Sequence, residues 1–192
     1  MIGDKEVEHL SCALQDVNCK LAVLDLQGGL QLRAKAGVHL SNALKHANCK
    51  LTKFSFAGNS MGHDGVAHLS FALQDANCKL TAMNLAYNDL GDMGAQRLSD
   101  VLKNELNIES NEIGDSGAGH LSEALKHTNY KLIKLNYACN HIGGSGVAHL
   151  GDVLQHGNCK LTKLNFQGNY NVSHWGRKRL FEACKERIDL HL

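Results

Sequence analysis

One sequence motif repeats along this chain of 192 residues and constrains its fold more than any other feature. One leucine of this motif recurs at Leu14, Leu44, Leu73, Leu102, Leu125 and Leu154, at spacings of 30, 29, 29, 23 and 29 residues. A unit that repeats at a nearly fixed period stacks on its neighbours and builds a solenoid. The repeat therefore predicts a long, ladder-like surface in place of a single cleft.

Each unit has two halves with different periodicity. In LTKFSFAGN (51–59), Phe54 and Phe56 alternate with polar neighbours, as one face of a short strand requires. In GVAHLSFAL (65–73), the apolar residues follow the i, i+3, i+6, i+7 spacing of an amphipathic helix, with an aspartate before it. Such aspartates predict helix N-caps at Asp64, Asp92 and Asp115. Since neither half buries its apolar face alone, neighbouring units must cover one another.

The inward strand positions predict two apolar columns through the stack. Parallel strands pair at about 4.8 Å, whereas packed helices need about 8–10 Å between axes. This difference bends the stack into a horseshoe with the strands inside. The columns are Leu24, Phe54, Met83, Leu106, Leu135 and Leu164, and then Leu26, Phe56, Leu85, Ile108, Tyr137 and Phe166.

The consensus LxxLxLxxNxIGDxGVxHLxxAL resembles the ribonuclease-inhibitor class of leucine-rich repeats. That class occurs in ribonuclease inhibitor, in the Ran GTPase-activating protein and in NOD-like (NACHT) receptors, and the NCKLTKLN variant is most similar to the receptor arrays. The resemblance implies an α/β leucine-rich-repeat solenoid with parallel strands on the concave face and helices on the convex face. It also implies a ladder of inward asparagines that bond the backbone of adjacent loops, at Asn59, Asn88, Asn111, Asn140 and Asn169.

The first unit departs from this pattern, with Gly29 in the asparagine position and a longer loop from Gly28. Overall the repeat predicts one domain over residues 1–192. It comprises a partial first repeat (1–20), strand–helix repeats (21–169), and a C-terminal capping helix and tail (170–192). The basic residues of this last segment suggest either a solvated cap or a partner-binding patch.

Two irregularities interrupt the array. The chain starts within the second half of a unit, which predicts the C-terminal part of a longer array and an uncapped N-terminal end available for self-association. The unit between Leu102 and Leu125 lacks its NCKL segment, so a tight link near Lys103 must join helix and strand. This shortening is interpreted as a deletion tolerated in a loop, as an omission from the sequence, or as a functional kink.

Composition narrows the class of protein. The chain is 43% hydrophobic with a formal net charge of +1, which suits a domain with a large core and gives no reason to expect a nucleic-acid partner. No apolar run approaches the roughly 20 residues of a membrane span, and Met1 leads directly into repeat sequence without a signal peptide. A cytoplasmic protein is therefore expected.

The cysteines and histidines follow the repeat period rather than a metal-binding spacing. Cys19, Cys49, Cys78 and Cys159 share one position, no CxxC pair occurs, and buried reduced thiols are the favoured interpretation. Histidines share a helical position without any HExxH pairing, so adventitious metal binding is the lesser alternative. We expect no metal, cofactor or catalytic residue, and hence no enzyme. The histidines are His9, His39, His68, His120 and His149.

The outward strand positions vary more than the framework does, which indicates either an adjustable binding face or a face that is merely solvated. They predict binding at Lys53, Ser55, Asn84, Tyr87, Glu105, Asn107, Lys134, Asn136, Lys163 and Asn165. The resulting hypothesis is a non-enzymatic scaffold that recognises a protein through this face, as the C-terminal part of a longer intracellular, innate-immune-type receptor. The alternatives are a ribonuclease-inhibitor-like inhibitor, which would require an acidic or aromatic-rich face, and a GTPase-activating protein.

Overall fold

The computed structural model describes residues 2–28, 32–101, 103–127, 130–185 and 187–192. In these ranges seven helices alternate with seven three-residue strands. The elements are α1 (Asp4–Leu14), β1 (Val23–Asp25), α2 (Ala34–Leu44), β2 (Lys53–Ser55), α3 (Gly62–Gln74), β3 (Ala82–Asn84), α4 (Gly91–Ser99), β4 (Glu105–Asn107), α5 (Asp115–Ala124), β5 (Lys134–Asn136), α6 (Gly144–Leu154), β6 (Lys163–Asn165), α7 (His174–Cys184) and β7 (Asp189–His191).

The strands form one open parallel sheet in sequence order, from β1 to β7. Corresponding positions of successive repeats are exact neighbours in the ladder, so that Leu24 pairs with Phe54 and Phe54 with Met83. Each helix packs against the helix of the next repeat on one side of this sheet. Parallel strands that alternate with helices in an unclosed sheet are the architecture of an α/β leucine-rich-repeat solenoid, as the repeat predicts.

The core is the set of side chains that the strand and helix periodicities direct inward. Both predicted strand columns are buried along their whole length, from Leu24 and Leu26 to Leu164 and Phe166. On α3, Val66 and Leu69 are fully buried. The two periodicities thus place one continuous apolar core between sheet and helices, and the prediction of both columns is confirmed.

The predicted N-caps are wrong. Asp64 and Asp92 lie inside the first turns of α3 and α4, and Asp115 begins α5, whose N-cap is Gly114. Two of these carboxylates reach the next repeat instead. Asp92 Oδ1 accepts from the amide of Gly114 at 2.7 Å, and Asp115 Oδ1 accepts from the N-cap of α6. The helices stack closely enough that a carboxylate on one can satisfy the exposed amides at the start of the next.

The C-terminal segment contains a helix and also a strand that the repeat did not predict. Leu190 of β7 pairs with Leu164 of β6, so the tail extends the sheet by one strand. The basic side chains of this segment largely bond the repeat before them. Arg177 donates to Asn169 O, Arg179 pairs with Asp152, and Arg187 donates to Cys159 O.

The shortened unit leaves the sheet continuous. In β4, Glu105 pairs with Ala82 and with Lys134 in the same register as every other strand. An opening of about 460 Å³ lies beside the tight link at Lys103. It is lined by Leu73, Gln74, Asp100, Val101, Lys103, His127 and Tyr130. Leu102 of the recurring leucines and Gly29 of the predicted longer loop lie outside the described residues.

Candidate functional site

The face of the sheet opposite the helices forms a groove of about 440 Å³ that crosses β1 to β6. Its floor is the backbone and the outward side chains of each strand, and small residues such as Ala82 leave it open. The groove is lined by Val23, Leu24, Asp25, Lys53, Phe54, Ser55, Ala82, Met83, Asn84, Glu105, Leu106, Asn107, Lys134, Leu135, Asn136, Lys163 and Asn165.

The sheet register brings the outward residues into two columns. The first residues of the strands form a charged column, Val23, Lys53, Ala82, Glu105, Lys134, Lys163 and Asp189. The third residues form a polar column that starts at Asp25 and Ser55, continues through Asn84, Asn107, Asn136 and Asn165, and ends at His191. All the predicted binding residues except Tyr87 lie in these columns and line the groove. Tyr87 lies on the loop after β3.

Charges within the first column are partly paired. Lys134 Nζ lies 2.7 Å from Glu105, and Lys163 Nζ lies 3.2 Å from Asp189. Hydrogen bonds from Lys163 and His191 lower the pKa of Asp189. Lys53 differs, because no carboxylate among the described residues pairs with it. One ammonium group of the groove therefore remains available to a ligand.

The asparagines of the second column have a fixed orientation. Each side-chain oxygen accepts a hydrogen bond from the backbone amide two residues further on, as in Asn84 to Ala86 and Asn107 to Glu109, both at 3.1 Å. Asn136 and Asn165 make the same bond at 3.1 and 3.2 Å. Such bonds from an asparagine to its own backbone define Asx turns. They hold the oxygen against the chain and leave the NH₂ group for other acceptors.

The loops that follow the middle strands adopt a conformation that usually needs glycine. Tyr87, Ser110 and Cys139 have φ angles of 56°, 51° and 53°, whereas the outer repeats place Gly28, Gly58 and Gly168 at the same position. A non-glycine residue in the left-handed region costs on the order of 1 kcal/mol. The three middle repeats thus display side chains at the rim of the groove where the outer repeats display none.

A small network links this rim to the groove. Glu109 Oε1 accepts from the Tyr87 hydroxyl at 3.5 Å, and Glu109 Oε2 accepts from Asn136 Nδ2 at 2.9 Å. Tyr87 nevertheless remains 56% exposed. Glu109 was absent from the predicted site, although it stands in a third outward column beside the strands. Large exposed aromatic side chains held in place by a neighbour are frequent anchors of protein interfaces.

The five asparagines of the ladder lie beneath these loops and are all buried. Asn111 Oδ1 accepts from the Asn88 amide at 2.9 Å, and Asn111 Nδ2 donates to Leu85 O at 2.8 Å. Asn140 repeats this arrangement one unit later, with Asn111 N and Ile108 O as its partners. Buried backbone groups require such partners. The ladder therefore fixes each loop to the preceding one and keeps the rim of the groove rigid.

The cysteines and histidines of the described residues differ in how far the fold covers them. Cys49 and Cys159 are buried, while Cys19 and Cys78 are only partly covered. Burial raises the pKa of the Cys78 and Cys159 thiols. Most of the shared histidine positions are exposed on the helical face. Nowhere in the described ranges do three His, Cys, Asp or Glu side chains gather as a metal site would require.

Comparison with known proteins supports the same architecture. A family model described as "Leucine Rich repeat" matches residues 76–99 and 104–122, which include β3, α4, β4 and most of α5. Comparison with curated proteins gives no match.

Among the described helices, none combines the length and apolar character needed to cross a membrane. Leucine-rich repeats generally mediate protein–protein interactions, and their domains are typically non-enzymatic scaffolds. The matched repeats and the open sheet of parallel strands identify this chain as an α/β leucine-rich-repeat solenoid.

Proposed function

We propose that this chain recognises a protein partner through the groove on its concave face. The observation that carries the proposal is the contrast between the two faces of each strand. Phe54 and Leu106 face a continuous apolar core, while Lys53 and Asn107 face an open groove of about 440 Å³. A surface of this length suits a partner that contacts several repeats at once.

The groove is also suited to recognition because its residues are held in place before binding. The Asx turns orient the asparagines, and the buried ladder fixes the loops that carry Tyr87 and Cys139. Binding to a prearranged surface loses less conformational entropy than binding to a mobile one. Tyr87 supplies an exposed aromatic anchor, and Lys53 supplies an ammonium group that no described carboxylate pairs.

We further propose that the array serves as the recognition region of a cytoplasmic, innate-immune-type receptor. The support is the resemblance of its NCKLTKLN phrase to receptor arrays, together with free cysteines that a reducing compartment would preserve. Self-association through the N-terminal end is a related proposal. Its support is the exposure of Val17, Leu21 and Val23 beside the unpaired edge of β1.

A pair of five-residue variants tests the binding face. Replacement of Lys53, Tyr87, Asn107, Lys134 and Lys163 by alanine should abolish capture of partner proteins while the protein still folds, as circular dichroism measures. The matched control replaces five exposed residues of the helical face by alanine, namely Lys35, Phe71, Met93, His120 and His149. Quantitative mass spectrometry after cross-linking compares the proteins captured by the two variants and by the wild type. Unchanged capture by the concave variant rejects the assignment.

A further inference from the structure

The amide groups of the second column form a row of hydrogen-bond donors. The oxygens of Asn84, Asn107 and Asn165 each accept a hydrogen bond from a backbone amide, which leaves their Nδ2 groups for other acceptors. Within the described residues, no acceptor is bonded to any of these three NH₂ groups. Neighbouring parallel strands are about 4.8 Å apart, so adjacent donors recur at that interval across the groove.

The fourth asparagine shows which chemical group fits this row. Asn136 Nδ2 donates to Glu109 Oε2 at 2.9 Å, so a carboxylate of the chain itself occupies one position of the row. A carboxylate is suited to this role because it accepts hydrogen bonds and has none to donate. Bonds of this kind are charge-assisted and stronger than those between neutral groups.

Lys53 adds charge next to the free donors. It lies on β2 between Val23 and Ala82 in the charged column, and neither of these side chains carries a charge. Asn84 lies on the same strand as Ala82, and Asn107 lies on the next strand. One ammonium group and two amide groups therefore lie near Ala82, whose other ladder neighbour, Glu105, is already paired with Lys134. Lys163 is likewise paired, with Asp189.

We propose that the groove binds an acidic, extended segment of a protein partner. Carboxylates of that segment accept hydrogen bonds from Asn84 and Asn107 and pair with Lys53, in the manner that Glu109 uses Asn136. The segment crosses the strands rather than running along them, because the donors are arranged across the sheet. This inference rests on the proposed function, since it names the partner class for the same groove.

An aspartate that the chain already carries in this column suggests the variant that tests the proposal. Asp25 occupies the first position of the asparagine column, and its Oδ1 accepts from the Gln27 amide at 3.0 Å. The double variant Asn84→Asp with Asn107→Asp should therefore keep both Asx turns while it exchanges two donors for two negative acceptors. The probe is a peptide of about ten residues alternating Glu and Ser, long enough to cross the groove at about 3.3 Å per residue.

The control peptide has glutamine in place of every glutamate. We expect the wild type to bind the Glu peptide at least about tenfold more tightly than this Gln peptide, a difference of roughly 1.4 kcal/mol in binding free energy. The double variant should lose this preference, and Lys53→Gln should weaken it. In ¹⁵N spectra, the side-chain amide signals of Asn84 and Asn107 should shift with the peptide, while those of the buried Asn88 and Asn140 stay in place. Isothermal titration calorimetry supplies the affinities.

Two results would overturn the inference: equal affinity for the Glu and Gln peptides, or unchanged affinity of the double variant for the Glu peptide. The partner-capture experiment separates this failure from that of the proposed function. If the five-residue concave variant loses its partner but the double variant retains it, the groove binds proteins and the acidic segment is wrong. If the five-residue variant also retains its partner, the proposed function itself is wrong.

Discussion

Asp115 in the first turn of α5 accepts a hydrogen bond from the backbone amide of Gly146 in α6, at 2.9 Å. The same oxygen accepts from the Gly143 amide at 2.6 Å. Asp115 thus performs for the next helix what an N-cap side chain performs for its own. The bond places a negative charge at the positive end of α6 and adds a polar link between the helices of two successive repeats.

Loss of the Asp115 carboxylate should destabilise the solenoid. We expect Asp115→Ala to lower the free energy of unfolding by about 1–3 kcal/mol, because two amides at the start of α6 lose a charged acceptor. Asp64→Ala is the matched control, since Asp64 lies in the first turn of α3 with a largely exposed side chain and only His63 as a described partner. Urea unfolding followed by circular dichroism measures both. Equal losses in the two variants would contradict the cross-repeat role.

Gly146 should tolerate no side chain, although alanine normally favours a helix by about 1 kcal/mol over glycine. A Cβ at Gly146 would lie 2.7 Å from Asp115 Oδ1 and 2.7 Å from Ile142 Cγ2. We therefore expect Gly146→Ala to lower the free energy of unfolding by about 1–3 kcal/mol. In the same helix, a Cβ at Gly144 would meet open space. Gly144→Ala should be neutral or stabilising, and the reverse order of the two variants would refute the argument.

The repeat predicted the fold well because each repeated position has one physical role. Leu24 and Leu164 sit in the same column for the same reason, namely burial between sheet and helices. The N-caps were mispredicted because the reasoning considered each helix alone, whereas Asp92 and Asp115 act on the helix that follows them. Contacts between units depend on the stacking distance, which no single unit encodes.

The groove was predictable in position but not in its bonding. Alternation along the strands places Lys53 and Asn107 outward. It does not say that Lys134 is paired with Glu105, nor that Lys53 has no carboxylate partner in the described ranges. Glu109 was missed because its role arises only when Tyr87 and Asn136 come together across the strands. The seventh strand had a signal in the alternation of Ile188, Leu190 and Leu192 with polar residues, but it lies after the last recognisable repeat.

Tyr137 carries a buried hydroxyl that none of the described residues bonds. Its ring fills the core column and packs edge-on against Phe166, at 6.4 Å between ring centres. Since an unpaired buried hydroxyl costs about 1–3 kcal/mol, Tyr137→Phe should raise the free energy of unfolding by about 1 kcal/mol. Phe166→Leu, which removes ring contacts instead, should lower it. Destabilisation by Tyr137→Phe in urea titrations would show that the hydroxyl has a partner.

The exposed and the buried cysteines should differ in reactivity. Cys12 and Cys139 are exposed, whereas Cys49, Cys159 and Cys184 are buried. Burial also raises the pKa of the Cys184 thiol to about 11, which reduces its thiolate fraction at neutral pH. A maleimide at neutral pH should therefore label the exposed pair first, as read by mass spectrometry of peptides. Labelling in urea should remove the difference, and rapid native labelling of Cys184 would contradict its burial.

Stability should decline in alkaline solution because the folded chain retains protons that the unfolded chain releases. Burial raises the pKa of Cys184 to about 11 from its ordinary value of 9.0, and it raises that of Tyr137 well above its ordinary range. A raised folded pKa gives stability that is complete below the unfolded pKa and is lost as the pH rises above it. The free energy of unfolding should thus fall from about pH 9 upward. Cys184→Ala should flatten this decline, while the exposed-site control Cys12→Ala should leave it unchanged; equal slopes in both variants would reject the assignment.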